Sequence, residues 1–358
     1  MNQIHRQVLH LVRSGTRVVW ATVIRSSGST PQKPGSSAIF HEGGLLSGTV
    51  GGGVMEADTG ALAALRLNDR YSNLYRFSLD SDQDKDGAIC GGEAELLLDA
   101  DPALNIRALE KLDASLQNRQ GGMLITMVGK ERNQARSIER QWIQGNDLSR
   151  LPAQFQPVAR EVLGSQSNPY QGSGLRITEL KNQESPLYEL AFAEFINPLP
   201  RLVIAGAGHL GRALSHLGKL LDFEVTVIDD RPEYANIRNL PDADHIVAED
   251  IGRSMAAVDT DTDTYCVIVT RGHNHDCEAL RPLIGAGAAY VGMIGSHHKV
   301  AVMKKRFLNE GWATREQWDQ IHAPVGIPIG SQTVQEIAVS IAAQLVEIRN
   351  KKSGKNGK

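Results

Sequence analysis

Ile4, Val8, Leu11 and Val12 recur at helical spacing among polar neighbours, so the chain should open on an amphipathic helix that stops near Ser14-Gly15. Arg17 to Arg25 is rich in β-branched residues and reads as a strand. The turn-forming SSGSTPQKPGSS follows, then a strand restarts over Ser36 to Phe40. LLSGTVGGGVMEADTGALAALRL runs from an apolar approach through Gly48, Gly51, Gly52 and Gly53 into a helix from about Met55. Leu74 to Leu79, Ala94 to Ala100, Gly122 to Gly129 and Tyr188 to Ile196 read as further strands. Between the first two of these stand the acidic DSDQDKDG and the connection carrying Cys90, Gly91 and Gly92. From Lys130 to Glu184 the pattern is polar and mixed and assigns no element.

NPLPR, Asn197 to Arg201, supplies two prolines in a short connector of the kind found at domain junctions. Beyond it apolar strands and helices alternate: strand Leu202 to Ala205, helix Leu210 to Leu221, and strands Glu224 to Ile228, His245 to Ala248 and Tyr265 to Val269. Helix Glu278 to Gly285 and strand Ala289 to Ile294 complete the series. A last helix is signalled by Thr333 and Glu336 as a capping box, with Val334, Ile337, Ile341, Leu345 and Ile348 at helical spacing. The expected fold class is therefore α/β, a C-terminal Rossmann-like parallel-sheet domain preceded by a mixed α+β N-terminal domain. The boundaries read as 1–197, 198–350 and a disordered basic tail over 351–358.

Composition adds bounds rather than detail. A chain of 358 residues exceeds one average core and suits two domains, and 41% apolar residues are enough to bury them without staples. Cys90, Cys266 and Cys277 form neither a disulfide framework nor a zinc pattern, which fits a reducing cytoplasm. A net charge of −3 argues against nucleic acid, and no apolar run is long enough for a signal peptide or a membrane span.

The chemistry collects on glycine loops. GAGHLG, with Gly206, Gly208, His209 and Gly211, follows an apolar strand and opens a helix, a context in which unpaired N–H groups meet a phosphate. Asp229 ends the next strand, where an acidic side chain meets a ribose hydroxyl, so an NAD(P)-dependent oxidoreductase is one reading. TRGHNHDC and GMIGSHHK bring His273, His275, Asp276, Gly295, Ser296, His297 and His298 to the same sheet edge as a polar pocket, and a narrower variant makes His273, His275, Asp276 and Cys277 metal ligands. Cys277 serves equally as a buried residue at a helix start. Gly51, Gly52 and Gly53 would form a second anion cradle with Glu56 as base or acceptor, or simply a turn closing a sheet. Cys90 before Gly91 and Gly92 is either a small buried cysteine or an unshielded thiolate.

Several segments together resemble the XdhC/CoxI family of xanthine dehydrogenase accessory proteins. In the first domain they are ATVIRSSGSTPQKPG, GTVGGGVMEAD and Cys90-Gly91-Gly92. In the second they are LVIAGAGHLG, VTVIDDRPEYAN, AYVGMIGSHHK and APVGIPIGSQTVQEIAVSIAAQLVEIR. The resemblance implies a cytoplasmic molybdenum cofactor chaperone, an accessory factor rather than a turnover enzyme, and it allows a homo-oligomer. Such a protein holds the molybdopterin form while a cysteine desulfurase helps install the sulfido ligand. It then delivers the cofactor to a xanthine dehydrogenase or related molybdenum hydroxylase. In that setting Cys90 becomes a candidate molybdenum ligand or sulfur relay. His297 and His298 stand where the family is expected to carry arginines, which leaves Lys299 or Arg271 to contact a phosphate.

Overall fold

The computed structural model describes residues 2–28, 32–78, 92–144, 148–157, 159–160, 175–179 and 187–352. The chain divides into two compact units, Met1–Pro198 and Leu199–Lys358.

The first unit opens on helix α1 (Asn2–Arg13), whose Ile4, Val8 and Leu9 are buried. Strands β1 (Val19–Gly28), β2 (Ser37–His41) and β3 (Gly44–Gly48) precede helix α2 (Gly53–Asp69), and β4 (Asn73–Ser78) and β5 (Gly92–Asp99) follow it. These five strands form one sheet in the order β3-β2-β1-β5-β4, antiparallel throughout. Helix α3 (Ile106–Gln117) leads to β6 (Gly122–Gly129), β7 (Ile138–Gln144), β8 (Leu175–Glu179) and β9 (Tyr188–Ile196), a second antiparallel sheet ordered β7-β6-β9-β8. Ile24 and Leu97 of the first sheet share a core with Val128, Leu190 and Phe192 of the second.

The stretch from Lys130 that assigned no element in sequence thus contains β7 and β8. Strand β7 hides from a hydrophobic scan because its inward positions include Arg140. That side chain is buried, ion-paired with Asp99, and its guanidinium lies 4.3 Å from the Trp20 ring centre. A charge can sit there only because it is paired and covered.

The second unit is a parallel sheet. Strand β10 (Arg201–Ala205), helix α4 (His209–Leu220), β11 (Glu224–Ile228), β12 (His245–Val247) and helix α5 (Ile251–Ala256) come first. Strand β13 (Thr264–Ile268), helix α6 (His273–Leu280), β14 (Tyr290–Met293) and helices α7 (His297–Asn309), α8 (Arg315–Trp318) and α9 (Val334–Lys352) complete it. The strand order β12-β11-β10-β13-β14 reverses direction at β10, and every ladder is parallel. Leu214 of α4 and Ile341 and Leu345 of α9 pack one face with Leu202, Ile204 and Val225. Ile251, Leu280, Met303 and Phe307 from α5, α6 and α7 pack the other with Val203 and Cys266. Each fully buried leucine here contributes about 2 kcal/mol of apolar burial.

Two segments expected as strand-end loops are partly helix. The helix anticipated from Glu278 starts at His273, and the GMIGSHHK segment ends β14, caps α7 with Ser296 and supplies its first turn. Polar first turns carry no apolar period, so periodicity places such helices too late. Among the described residues, no helix is long and apolar enough to cross a membrane.

Candidate functional site

In the GAGHLG turn the three glycines serve different purposes. Gly206 holds φ +116°, and a Cβ there would lie 2.5 Å from the Val269 carbonyl oxygen, so the backbone after β10 presses on the backbone after β13. A Cβ on Gly211 would lie 1.8 Å from the Gly206 oxygen, which fixes how closely α4 approaches the turn. Gly208 is the N-cap of α4, no side chain caps that end, and a Cβ there would meet nothing within 4 Å. The result is an open helix start whose first N–H groups are available to an anion, and the exposed His209 stands beside them.

Asp229, at the end of β11, turns inward. Its Oδ2 accepts from Ala207 N at 2.7 Å and Arg231 Nη2 at 2.9 Å, and its Oδ1 from Arg231 N at 3.0 Å and Nε at 2.8 Å. Burial works to raise its pKa. The Arg231 guanidinium and the Ala207 and Arg231 backbone N–H groups outweigh that and hold the carboxyl below the usual range. The Arg231 guanidinium in turn lies 3.9 Å from the Tyr234 ring centre. The four acceptor positions of a carboxylate are thereby filled. Asp229 thus ties the end of β11 to the GAGHLG turn.

The neighbouring loops are also internally engaged. Thr270 Oγ1 donates to the buried Asp276 Oδ1 at 2.7 Å, and Lys299 forms an ion pair with the other Asp276 oxygen. Lys299 also donates to the Ile294 carbonyl at 3.3 Å, and its side chain runs back over Gly295, where a Cβ would sit 3.1 Å from Lys299 Cδ. Arg271 donates to Asp230 at 2.9 Å. The two cations expected to meet a phosphate are therefore both paired. Ser296 Oγ accepts from Lys299 N at 3.2 Å as the cap of α7. Cys277 is buried on α6 and burial raises its thiol pKa, while His273 remains exposed and His275 pairs with Glu278 at 3.4 Å. Among the described residues no group of three or more His, Cys, Asp or Glu side chains is placed to hold a metal ion.

In the first unit, Gly51, Gly52 and Gly53 all have positive φ, and Gly52 is the N-cap of α2. Glu56 reaches back over them: its Oε2 accepts from Thr49 Oγ1 at 2.7 Å and Val50 N at 3.4 Å, while Thr49 Oγ1 accepts from Gly51 N at 3.1 Å. Glu56 thus accepts from the loop through one carboxylate oxygen, while the Gly51 N–H is taken up by Thr49. Gly92 begins β5 and pairs with Gly28. Cys90 and Gly91 lie outside the described residues.

Two family models match this chain, one described as the XdhC Rossmann domain over residues 202–345 and one as the XdhC and CoxI family over residues 11–78. The chain belongs to the XdhC and CoxI family. A Bacillus subtilis protein named as a probable xanthine dehydrogenase subunit is 25% identical over 98% of this chain and 99% of its own length. An Escherichia coli protein, YqeB, is 36% identical over 43% of this chain, and the match spans 28% of the relative's length. A second Escherichia coli relative, the molybdenum cofactor insertion chaperone PaoD, is 28% identical over 28% of this chain and 31% of its own length. A crystal structure from Bacillus halodurans described as a xanthine dehydrogenase shares the fold, with a TM-score of 0.73, 22% identity and coverage of 99% and 98% of the two chains.

Within the XdhC Rossmann domain, Arg231 is the residue that sequence reading missed. The signal was present in the Asp-Asp-Arg run directly after β11, where a cation two positions from an acid can fold back on it.

Proposed function

We propose that this XdhC-family chain is an accessory protein of molybdenum hydroxylase maturation: it holds the molybdopterin form of the cofactor and hands it to a xanthine dehydrogenase-type client. The observation that carries the reading is the pairing of an open, uncapped helix start at Gly208 with a saturated Asp229. Such a turn suits a ligand that offers a phosphate and demands no reader for a ribose diol, as a pterin phosphate does. That favours the molybdenum cofactor over NAD(P), and the name of the PaoD relative points the same way. The cofactor, when bound, supplies the metal centre that a client enzyme uses for hydroxylation. This chain's own part is to bind the phosphate and shield the ligand from water. A cysteine desulfurase is the partner expected to sulfurate the bound form, with Cys90 as the candidate sulfur relay or soft ligand.

The test is protein isolated from a molybdenum-replete host and denatured under oxidising conditions. A stoichiometric fluorescent pterin and matching molybdenum content are expected. Protein that arrives empty and fails to take up added cofactor would overturn the proposal.

A further inference from the structure

A cavity of about 310 Å³ opens on the outer side of α4, lined by His209, Arg212, Ser215, His216, Asp242 and Gln335 among others. His209, Arg212 and His216 follow one another at helical spacing from the start of α4, so they share a face. His216 Nδ1 lies 3.0 Å from Asp242 Oδ2, which engages that oxygen of the carboxylate. Arg212 is different: among the described residues its guanidinium has neither an ion pair nor a hydrogen bond, unlike Lys299 and Arg271. Ser215 supplies the independent observation. It is 1% exposed, it lines this cavity, and its hydroxyl has no hydrogen-bond partner. A buried orphan hydroxyl costs stability unless something meets it.

We infer that this cavity is a phosphate site: the anion takes charge-assisted bonds from Arg212 and hydrogen bonds from Ser215 and His209. The inference deepens the molybdenum cofactor proposal, for which it would name the residues that grip the phosphate. It also stands without it, because any small phosphate-bearing ligand would satisfy the same groups.

The experiment uses the full chain with isotope-labelled histidine, the His209 and His216 ring signals assigned through His209→Gln and His216→Gln, and inorganic phosphate as the probe. Saturable shifts of both rings are expected, weakened about tenfold or more in Arg212→Gln and severalfold in Ser215→Ala. Ser215→Ala should meanwhile leave the melting temperature unchanged or raised, a split that a merely structural serine would not give. Linear, unsaturating shifts, or shifts identical in Arg212→Gln, would overturn the site. If phosphate binds as described and isolated protein carries no pterin, the cofactor proposal fails and this site stands. If pterin is present at wild-type level in Arg212→Gln, the cofactor proposal stands and the assignment of this site to the cofactor's phosphate fails.

Discussion

Asp229 and Arg231 are locked together by side-chain bonds of 2.8 and 2.9 Å, and the same carboxylate holds the Ala207 N–H of the GAGHLG turn at 2.7 Å. The acid that a dinucleotide-binding fold commonly turns toward a ribose is here part of the scaffold.

Removing the lock should therefore change ligand choice as well as stability. Arg231→Ala leaves a buried carboxylate without its cation and is expected to cost about 3 kcal/mol in chemical denaturation. The same variant should gain weak affinity for ADP-ribose by calorimetry, while the wild type shows none at millimolar ligand. Equal binding by both would mean that Asp229 was never the gate.

The glycines of the turn should separate cleanly. Gly211→Ala drives a Cβ to 1.8 Å from a backbone oxygen and Gly206→Ala adds a strained φ of +116°, so both should lower the melting temperature or prevent folding. Gly208→Ala meets open space at φ −67° and should fold with a loss under about 1 kcal/mol. A Gly208→Ala protein as unstable as Gly211→Ala would contradict the open helix start.

Asp276 is wholly buried and relies on Lys299 and Thr270. Lys299→Met should cost about 3 kcal/mol by orphaning that charge, and adding Asp276→Leu should restore much of the loss. A double-mutant cycle with no coupling between the two positions would refute the pairing.

Acid should weaken the Rossmann unit through His322. Burial lowers this imidazole's pKa, with the ring stacked 4.6 Å from the Tyr290 ring centre. The folded state thus favours the neutral form, and the unfolded chain takes up the proton first as pH falls. The contribution is full above the unfolded value of about 6.5 and is lost as pH falls through the lower folded value. Denaturation midpoints measured from pH 8 to pH 5 should drop less in His322→Phe than in the wild type.

The thiols should divide by environment. Burial pushes Cys266 up to about 12 and raises Cys277, so iodoacetamide at pH 8 should leave both unmodified in the folded protein. Mass spectrometry showing rapid modification of either would contradict their burial.

The sequence by itself determined the alternation that builds a parallel sheet, the glycine turn after β10, the capping box of α9, where Glu336 Oε2 accepts from Thr333 N at 3.0 Å, and the family. These are local or periodic signals, written by backbone geometry into neighbouring residues. What only the tertiary structure decided is which polar groups remain free. Arg140, Asp229, Lys299 and Arg271 all look available along the chain, yet each is consumed by a partner brought to it by folding. Arg212 and Ser215 carry no motif, and they stand out only because folding leaves their polar groups without a partner beside a cavity. A carboxylate or guanidinium has the same letter paired or unpaired, and long-range packing alone sets the difference.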